Sequence, residues 1–108
     1  MTALTDQEFR LRADDALDQA RRSLMALADE YEFEVGLQNG VLNLEFEEPS
    51  ETKFVVSPNA PTRQIWVAAM TKSYKLAWAQ DLEAFALNGE PLVHLLDRLT
   101  RTFVGATA

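Results

Sequence analysis

Carboxylates are the side chains with most chemistry to offer in this chain. Asp14, Asp15 and Asp18 fall on a helical pattern, off its apolar stripe, with Asp14 and Asp18 one turn apart. Asp29, Glu30, Glu32 and Glu34 follow where that helix should end and a strand begin. Taken as an extended segment, Glu30, Glu32 and Glu34 point the same way, and the seven acids form a ridge along one edge. Oxygen-only donors suit hard cations: magnesium, calcium, manganese and iron, ferric iron above all. An exposed ridge without nitrogen or sulfur donors binds weakly and leaves several waters on the ion. Acids crowded at a helix C-terminus also oppose its dipole, a cost that a cation offsets. The same residues also fit a plain solvated helix face, because Arg10 with Asp14 and Asp18 with Arg22 have the spacing of intrahelical ion pairs.

Other chemistries lack their residues. With no cysteine, the chain offers no disulfide, thiolate metal site, catalytic thiol, or cluster held on its own sulfurs. His94 is the single histidine and sits inside an apolar helical pattern, where a surface position without chemistry is expected. The four glycines, at 36, 40, 89 and 105, make no phosphate-binding loop. Nothing predicts the dry concave pocket that would raise a carboxylate pKa for acid–base catalysis.

Charge is unevenly shared. The 108 residues carry a net −7, but residues 1–51 hold 13 acids and 4 bases, whereas residues 52–108 hold 4 acids and 6 bases. The acidic half suggests cations or a basic partner, with solubility alone as the plain alternative. The overall sign argues against nucleic acid. No run is long and apolar enough for a membrane helix, and the N-terminus reaches acids at once, unlike a leader peptide. The expectation is a soluble cytoplasmic protein, a single domain spanning 1–108.

A second lead is aromatic. In Arg63–Met70 the period is two, so Gln64, Trp66 and Ala68 face water if Ile65, Val67 and Ala69 face a core. An exposed mid-sheet tryptophan with Arg63 and Lys75 nearby has the composition of a protein contact. If the strand is flipped or covered, Trp66 belongs to the core instead.

The elements that must position these groups read as helix, strands, helix. A helix is expected over 5–30, opened by Asp6 with Thr5 as cap, and striped by Phe9, Ala13, Ala16, Leu17, Ala20, Leu24, Leu27, Ala28 and Tyr31. Strands 33–38 and 41–47 meet across Asn39-Gly40, a strong hairpin signal. Glu48-Pro49-Ser50 turns into a strand at 52–57. Strands at 63–70, 74–79 and a ragged 82–87 follow. Glu90-Pro91 opens a second helix striped by Leu92, Leu95, Leu96, Leu99 and Phe103. Short strands and tight turns suit an antiparallel sheet with both helices on one face: an α+β, two-layer α-β sandwich of five or six strands.

Residues 57–69, SPNAPTRQIWVAA, resemble the most specific block of the frataxin family, whose bacterial members are called CyaY. Pro61, Gln64, Ile65 and Trp66 match the family pattern, and Arg63 stands for its basic residue. ADDALDQARRSL resembles the family's first helix, NGVLNLEFE its second strand, YKLAW its Trp-bearing strand and NGEPLVHLL the start of its last helix. The similarity runs over about residues 8–103, in the family's order.

The resemblance implies a sandwich of two helices on an antiparallel sheet and an iron-binding role in iron–sulfur cluster assembly. It implies Fe2+ and Fe3+ held weakly by the ridge (Asp14, Asp15, Asp18, Asp29, Glu30, Glu32, Glu34). It also implies docking on the cysteine desulfurase–scaffold complex through Arg63, Gln64, Trp66 and Lys75. A monomer is expected, with iron-dependent oligomers and a ferroxidase or storage activity as the other reading. A frataxin-like domain with a different protein partner is a third. Arg21, Arg22, Met25 and Ala26 stand where family members usually show more acids, which implies a lower iron capacity. Ser57, Ala77 and Glu83 depart from the family's sheet pattern.

Overall fold

The computed structural model describes residues 4–48 and 50–105. Pro49 of the expected turn, residues 1–3 and residues 106–108 lie outside the described residues.

Helix α1 spans Asp6–Tyr31. Thr5 caps it in a reciprocal box: the Glu8 N–H donates to Thr5 Oγ1 at 3.1 Å, and the Thr5 N–H donates to Glu8 Oε1 at 2.9 Å. Phe9, Ala13, Leu17, Ala20, Leu24 and Leu27 recur every three or four residues and are buried. The helix stops at Glu32, whose left-handed backbone (φ 57°) turns the chain and sends Phe33 into the core.

Seven antiparallel strands follow in chain order: β1 (Glu34–Gln38), β2 (Val41–Phe46), β3 (Thr52–Asn59), β4 (Gln64–Ala69), β5 (Lys72–Ala79), β6 (Ala84–Leu87) and β7 (Glu90–Pro91). Each pairs only with its neighbours in sequence. Asn39-Gly40, Met70-Thr71 and Asn88-Gly89 have positive φ at both positions, the two-residue turns whose twist matches the strands they join. Arg63 and Glu83 close the two four-residue turns, 60–63 and 80–83, in the same left-handed region. Met70-Thr71 does so without a glycine or asparagine, which is why the sequence pattern points to a turn at 71–73 rather than 70–71.

Alternation divides the sheet. Leu42, Leu44, Phe46, Phe54, Val56, Ile65, Val67, Ala69, Leu76 and Phe85 are buried against the helices. Helix α2 (Leu92–Val104) adds Leu92, Leu95, Leu96 and Leu99. All belong to one contiguous cluster. Phe46 joins Phe33, Phe54 and Phe103 with ring centroids 4.7–4.8 Å apart, at the end where both helices finish. Phe85 meets Phe9 and Trp78 at the end where α1 starts. Both helices cover one face of the sheet, as expected.

Three details differ from the expected elements. Strand β3 runs on to Asn59, and the ragged sixth strand shortens to Ala84–Leu87 because Leu82 and Glu83 are spent in the turn. Glu90-Pro91 is not the first turn of α2. It pairs with β6 as a seventh strand, and Pro91 becomes the helix N-cap. Proline has no side-chain acceptor to cap with. Glu90 fastens this corner instead: its carboxylate accepts from Arg98 Nε (2.9 Å) and Nη2 (2.8 Å) and lies 2.6 Å from His94 Nδ1.

The Arg98 hydrogen bonds, with His94 adding to them, hold the Glu90 carboxyl down at about 2. A carboxyl depressed on folding contributes stability above its unfolded pKa and loses it as pH falls towards the folded value. Glu90→Gln should therefore cost on the order of 1 kcal/mol at pH 7, allowing for solvent screening of the partly exposed arginine. The gap from the parent should close between roughly pH 4.5 and 2. Urea denaturation across that range checks it, and a gap constant with pH would contradict it.

Candidate functional site

The outer face of the sheet is built from the residues that alternation leaves over. On β4, Gln64, Trp66 and Ala68 point outward while their neighbours are buried. Trp66 lies opposite Ser57 on one side and Lys75 on the other. The indole N–H donates to Gln64 Oε1 at 3.1 Å, and Lys75 Nζ sits 5.0 Å from the ring centroid. The ring is half-buried and braced by these two contacts. Val55, Ser57, Trp66, Val67, Ala68, Ser73 and Lys75 line a shallow depression of about 380 Å³. Arg63 does not line it. It occupies the turn before β4, where its N–H donates to the Ala60 carbonyl, and its buried Nε has no hydrogen-bond partner. The structure therefore gathers three of the four expected contact residues and sets Arg63 beside them.

The acids divide differently. Asp14 and Asp15 are exposed on the first half of α1. Asp18 is clamped by Arg21 Nη2 and Arg22 Nη2, each at 2.9 Å, and the Arg21 hydrogen bond holds its carboxyl below the usual range. Arg10 pairs with Asp6 at 3.5 Å and not with the expected Asp14. Asp29 and Glu30 are exposed in the last turns of α1, which has no basic residue there. Sixteen residues of helix separate Asp14 from Glu30, about 24 Å. One ion cannot bridge the two groups.

Glu30, Glu32 and Glu34 do not share an extended segment. Glu30 is helical, Glu32 is the left-handed cap and Glu34 begins β1. The common direction expected of them fails because Glu30 is still helical and Glu32 takes the left-handed turn that ends the helix. Glu32 and Glu34 instead join Glu45, Glu47 and Glu51 around an open cleft of about 590 Å³, floored by Phe33 and Phe46, with Lys53 as its one basic lining residue. Glu34 lies directly opposite Glu45. Sequence reasoning passed over Glu45, Glu47 and Glu51, although the signal was present. A two-residue turn at 39–40 pairs residues symmetrically about itself, and that register brings 34 to 45.

These oxygens are the donor class that hard cations take. Among the described residues, however, no three Asp, Glu or His side chains converge as a metal-holding group. An ion in the cleft would keep much of its water. His94 is exposed and engaged with Glu90, the surface position expected of it. Among the described residues, no helix is long and apolar enough to cross a membrane.

Comparison with known families decides the relationship. The family model described as a frataxin-like domain matches residues 2–106. The chain belongs to the frataxin family. It is 31% identical over 100 residues to the iron-sulfur cluster assembly protein CyaY of Ralstonia nicotianae, covering 91% of this chain and 87% of that one. It is 38% identical over 71 residues to the CyaY of Cupriavidus metallidurans, spanning 62% of that protein. Among solved structures, the frataxin of Psychromonas ingrahamii superposes with a TM-score of 0.66 at 19% identity, over 92% of this chain and 90% of that one. That match bears on the fold, and it agrees with two helices on an antiparallel sheet. The resemblance carried by the Gln64–Trp66 block is thereby confirmed at the level of the family.

The Glu34–Glu45 pair sets like charges side by side on this frataxin-family sheet. Glu34→Gln should raise stability by about 0.5 kcal/mol at low salt. The gain should shrink as salt screens the repulsion. Paired urea titrations at two salt concentrations measure it, and an unchanged midpoint at low salt would mean the two carboxylates do not repel.

Proposed function

We propose that this chain is a non-enzymatic adaptor in iron–sulfur cluster assembly. In this reading it docks on the cysteine desulfurase–scaffold complex through Trp66 and gathers Fe2+ or Fe3+ weakly on its acids. The observation that carries the reading is the half-buried indole of Trp66, braced by Gln64 and Lys75 on a face the helices do not cover. A tryptophan held in place loses little freedom on binding, the property of an interface anchor. The relatives' shared description as iron-sulfur cluster assembly proteins supports the pathway.

Within this proposal Gln64, Trp66 and Lys75 form the partner contact, with Arg63 at its margin. Iron collects at Asp14 and Asp15 and, more densely, at Asp29, Glu30, Glu32 and Glu34, which Glu45, Glu47 and Glu51 now join. Asp18 contributes least, because two arginines already neutralise it. The iron is cargo or signal, retained with water in its shell. A ferroxidase centre calls for inward carboxylates that converge, so the surface arrangement favours binding over turnover. The protein acts in the cytoplasm, as a monomer that neither binds nucleic acid nor inserts in a membrane.

Trp66→Ala should weaken desulfurase binding by about thirtyfold, the effect of removing an interface anchor worth around 2 kcal/mol. Its melting midpoint should stay near the parent's, because the ring packs on the outer face. Calorimetric titration and thermal unfolding measure the two effects, and unchanged affinity would remove the sheet from the proposal. In an NMR titration with ferrous iron, amides of Glu32, Glu34, Glu45 and Glu47 should broaden before that of Asp18. First broadening at Asp18 or His94 would contradict the ridge as redrawn.

A further inference from the structure

The two edges of the sheet are treated very differently. Strand β7 is two residues long, contains Pro91 and runs straight into α2. Those are the devices that keep an edge from pairing with another chain. Strand β1 is longer and contains no proline. Its five residues, Glu34–Gln38, pair with β2 in unbroken register, without proline, lysine or bulge. Among the described residues no backbone hydrogen bond joins β1 to any strand or loop other than β2. Half of its N–H and C=O groups face away from β2, where an added strand would meet them.

Gly36 sits at the middle of this edge, and the fold itself does not call for it. Its φ lies outside the left-handed region, and a Cβ built there would have no atom within 4 Å. A glycine inside a strand forgoes packing and costs chain entropy. A glycine at this place leaves room for another backbone to approach closely.

We propose that β1 is a docking edge for an extended, basic segment of a partner protein, which adds to the sheet as an antiparallel eighth strand. Alternation specifies the segment's chemistry. On the outer face its side chains run beside Glu34, Gly36 and Gln38, with Glu45 one strand further in. Lysine or arginine belongs there. On the helix side they meet Val35 and Leu37, which are only partly buried, so valine, isoleucine or leucine belongs there. The strand's start opens on the acidic cleft, where Glu32 and Glu47 extend the same field. A second copy of this chain is the poorer occupant, because its own β1 edge carries the same negative charge. The surface is separate from the Trp66 depression.

The test uses the full chain and a capped heptapeptide that alternates lysine and valine. A second heptapeptide of the same composition has its lysines and valines in separate blocks. The alternating peptide should slow amide exchange within Val35–Gln38 and bind at least about tenfold more tightly than the block peptide. Val35→Pro and Gly36→Pro provide the blocking variant. Adjacent N–H groups point to opposite sides of a strand, so one proline breaks the hairpin and the other removes a solvent-facing donor. Whichever variant keeps the parent's melting profile should lose the alternating peptide. Trp66→Ala should bind it like the parent, which separates this proposal's failure from that of the proposed function. Equal binding of both peptides, binding without protection of β1 amides, or self-association through β1 in sedimentation would overturn the proposal.

Discussion

A single sheet must bury the apolar stripes of two helices, and it has one face to give them. That requirement sets the parity of every strand. Once Leu42, Leu44 and Phe46 turn inward on β2, Asn43 and Glu45 turn outward. Once Ile65, Val67 and Ala69 turn inward on β4, so must Gln64 and Trp66 turn outward. Slipping one strand by a single residue would drive a glutamate or a lysine under α1 and expose three large apolar side chains. Burial of each such side chain is worth roughly 1.5–3 kcal/mol, so the register is held far more firmly than any surface contact could hold it. The outer face is what this packing leaves over, positioned by the core beneath it.

Electrostatics then distinguishes the two ends of the sandwich. Phe103 near the end of α2 packs on Phe46, and Phe33 just after α1 packs there as well, so both helices finish at the same end. The negative ends of both helix dipoles point towards the end where Glu30, Glu32, Glu34, Glu45, Glu47 and Glu51 also gather. Helix α2 meets this partly through Arg101, which is bonded to Asp97. Helix α1 has no basic residue in its last turn. At the other end α1 opens with Asp6 and Glu8, which suit a helix N-terminus. The same chain therefore satisfies helix-terminus electrostatics where α1 begins and works against it where α1 ends.

Much of this was legible in the residues. The spacing from Phe9 to Leu27 announced α1 and its buried face, Asn39-Gly40 announced the first hairpin, and alternation in β4 put Trp66 outside. Those signals are local, and packing reinforced them. What stayed hidden depended on exact lengths. Glu30 is still helical and Glu32 takes the left-handed turn, so Glu30 and Glu34 lost the common face expected of them. Glu90 looked like the start of a helix because Pro91 suits a first turn. Strand pairing with β6 took both residues instead, an outcome set by partners three and five residues earlier in the chain. Thr100 is buried with its hydroxyl unpartnered, at a position where a polar residue gave no warning of burial.

The remaining departures from local rules fall together. Glu34 faces Glu45 where opposite charges would be better. Gly36 stands where a β-branched residue would stabilise the strand. Glu32 ends α1 with an acid in the left-handed region, where glycine or asparagine would cost less. Each forgoes a fraction of a kcal/mol to about one, and each has an easy single-residue remedy that the fold would accept. Scattered over the surface they would be unremarkable drift. Concentrated at one strand and the helix end feeding it, beside a cleft lined by five carboxylates, they mark a region whose residues answer to something outside the chain. Trp66 fits the same logic on the neighbouring face: a large ring left half in solvent. The stability withheld at these positions is small beside that of the packed interior, and so the sandwich can carry two exposed, poorly compensated surfaces without losing its register.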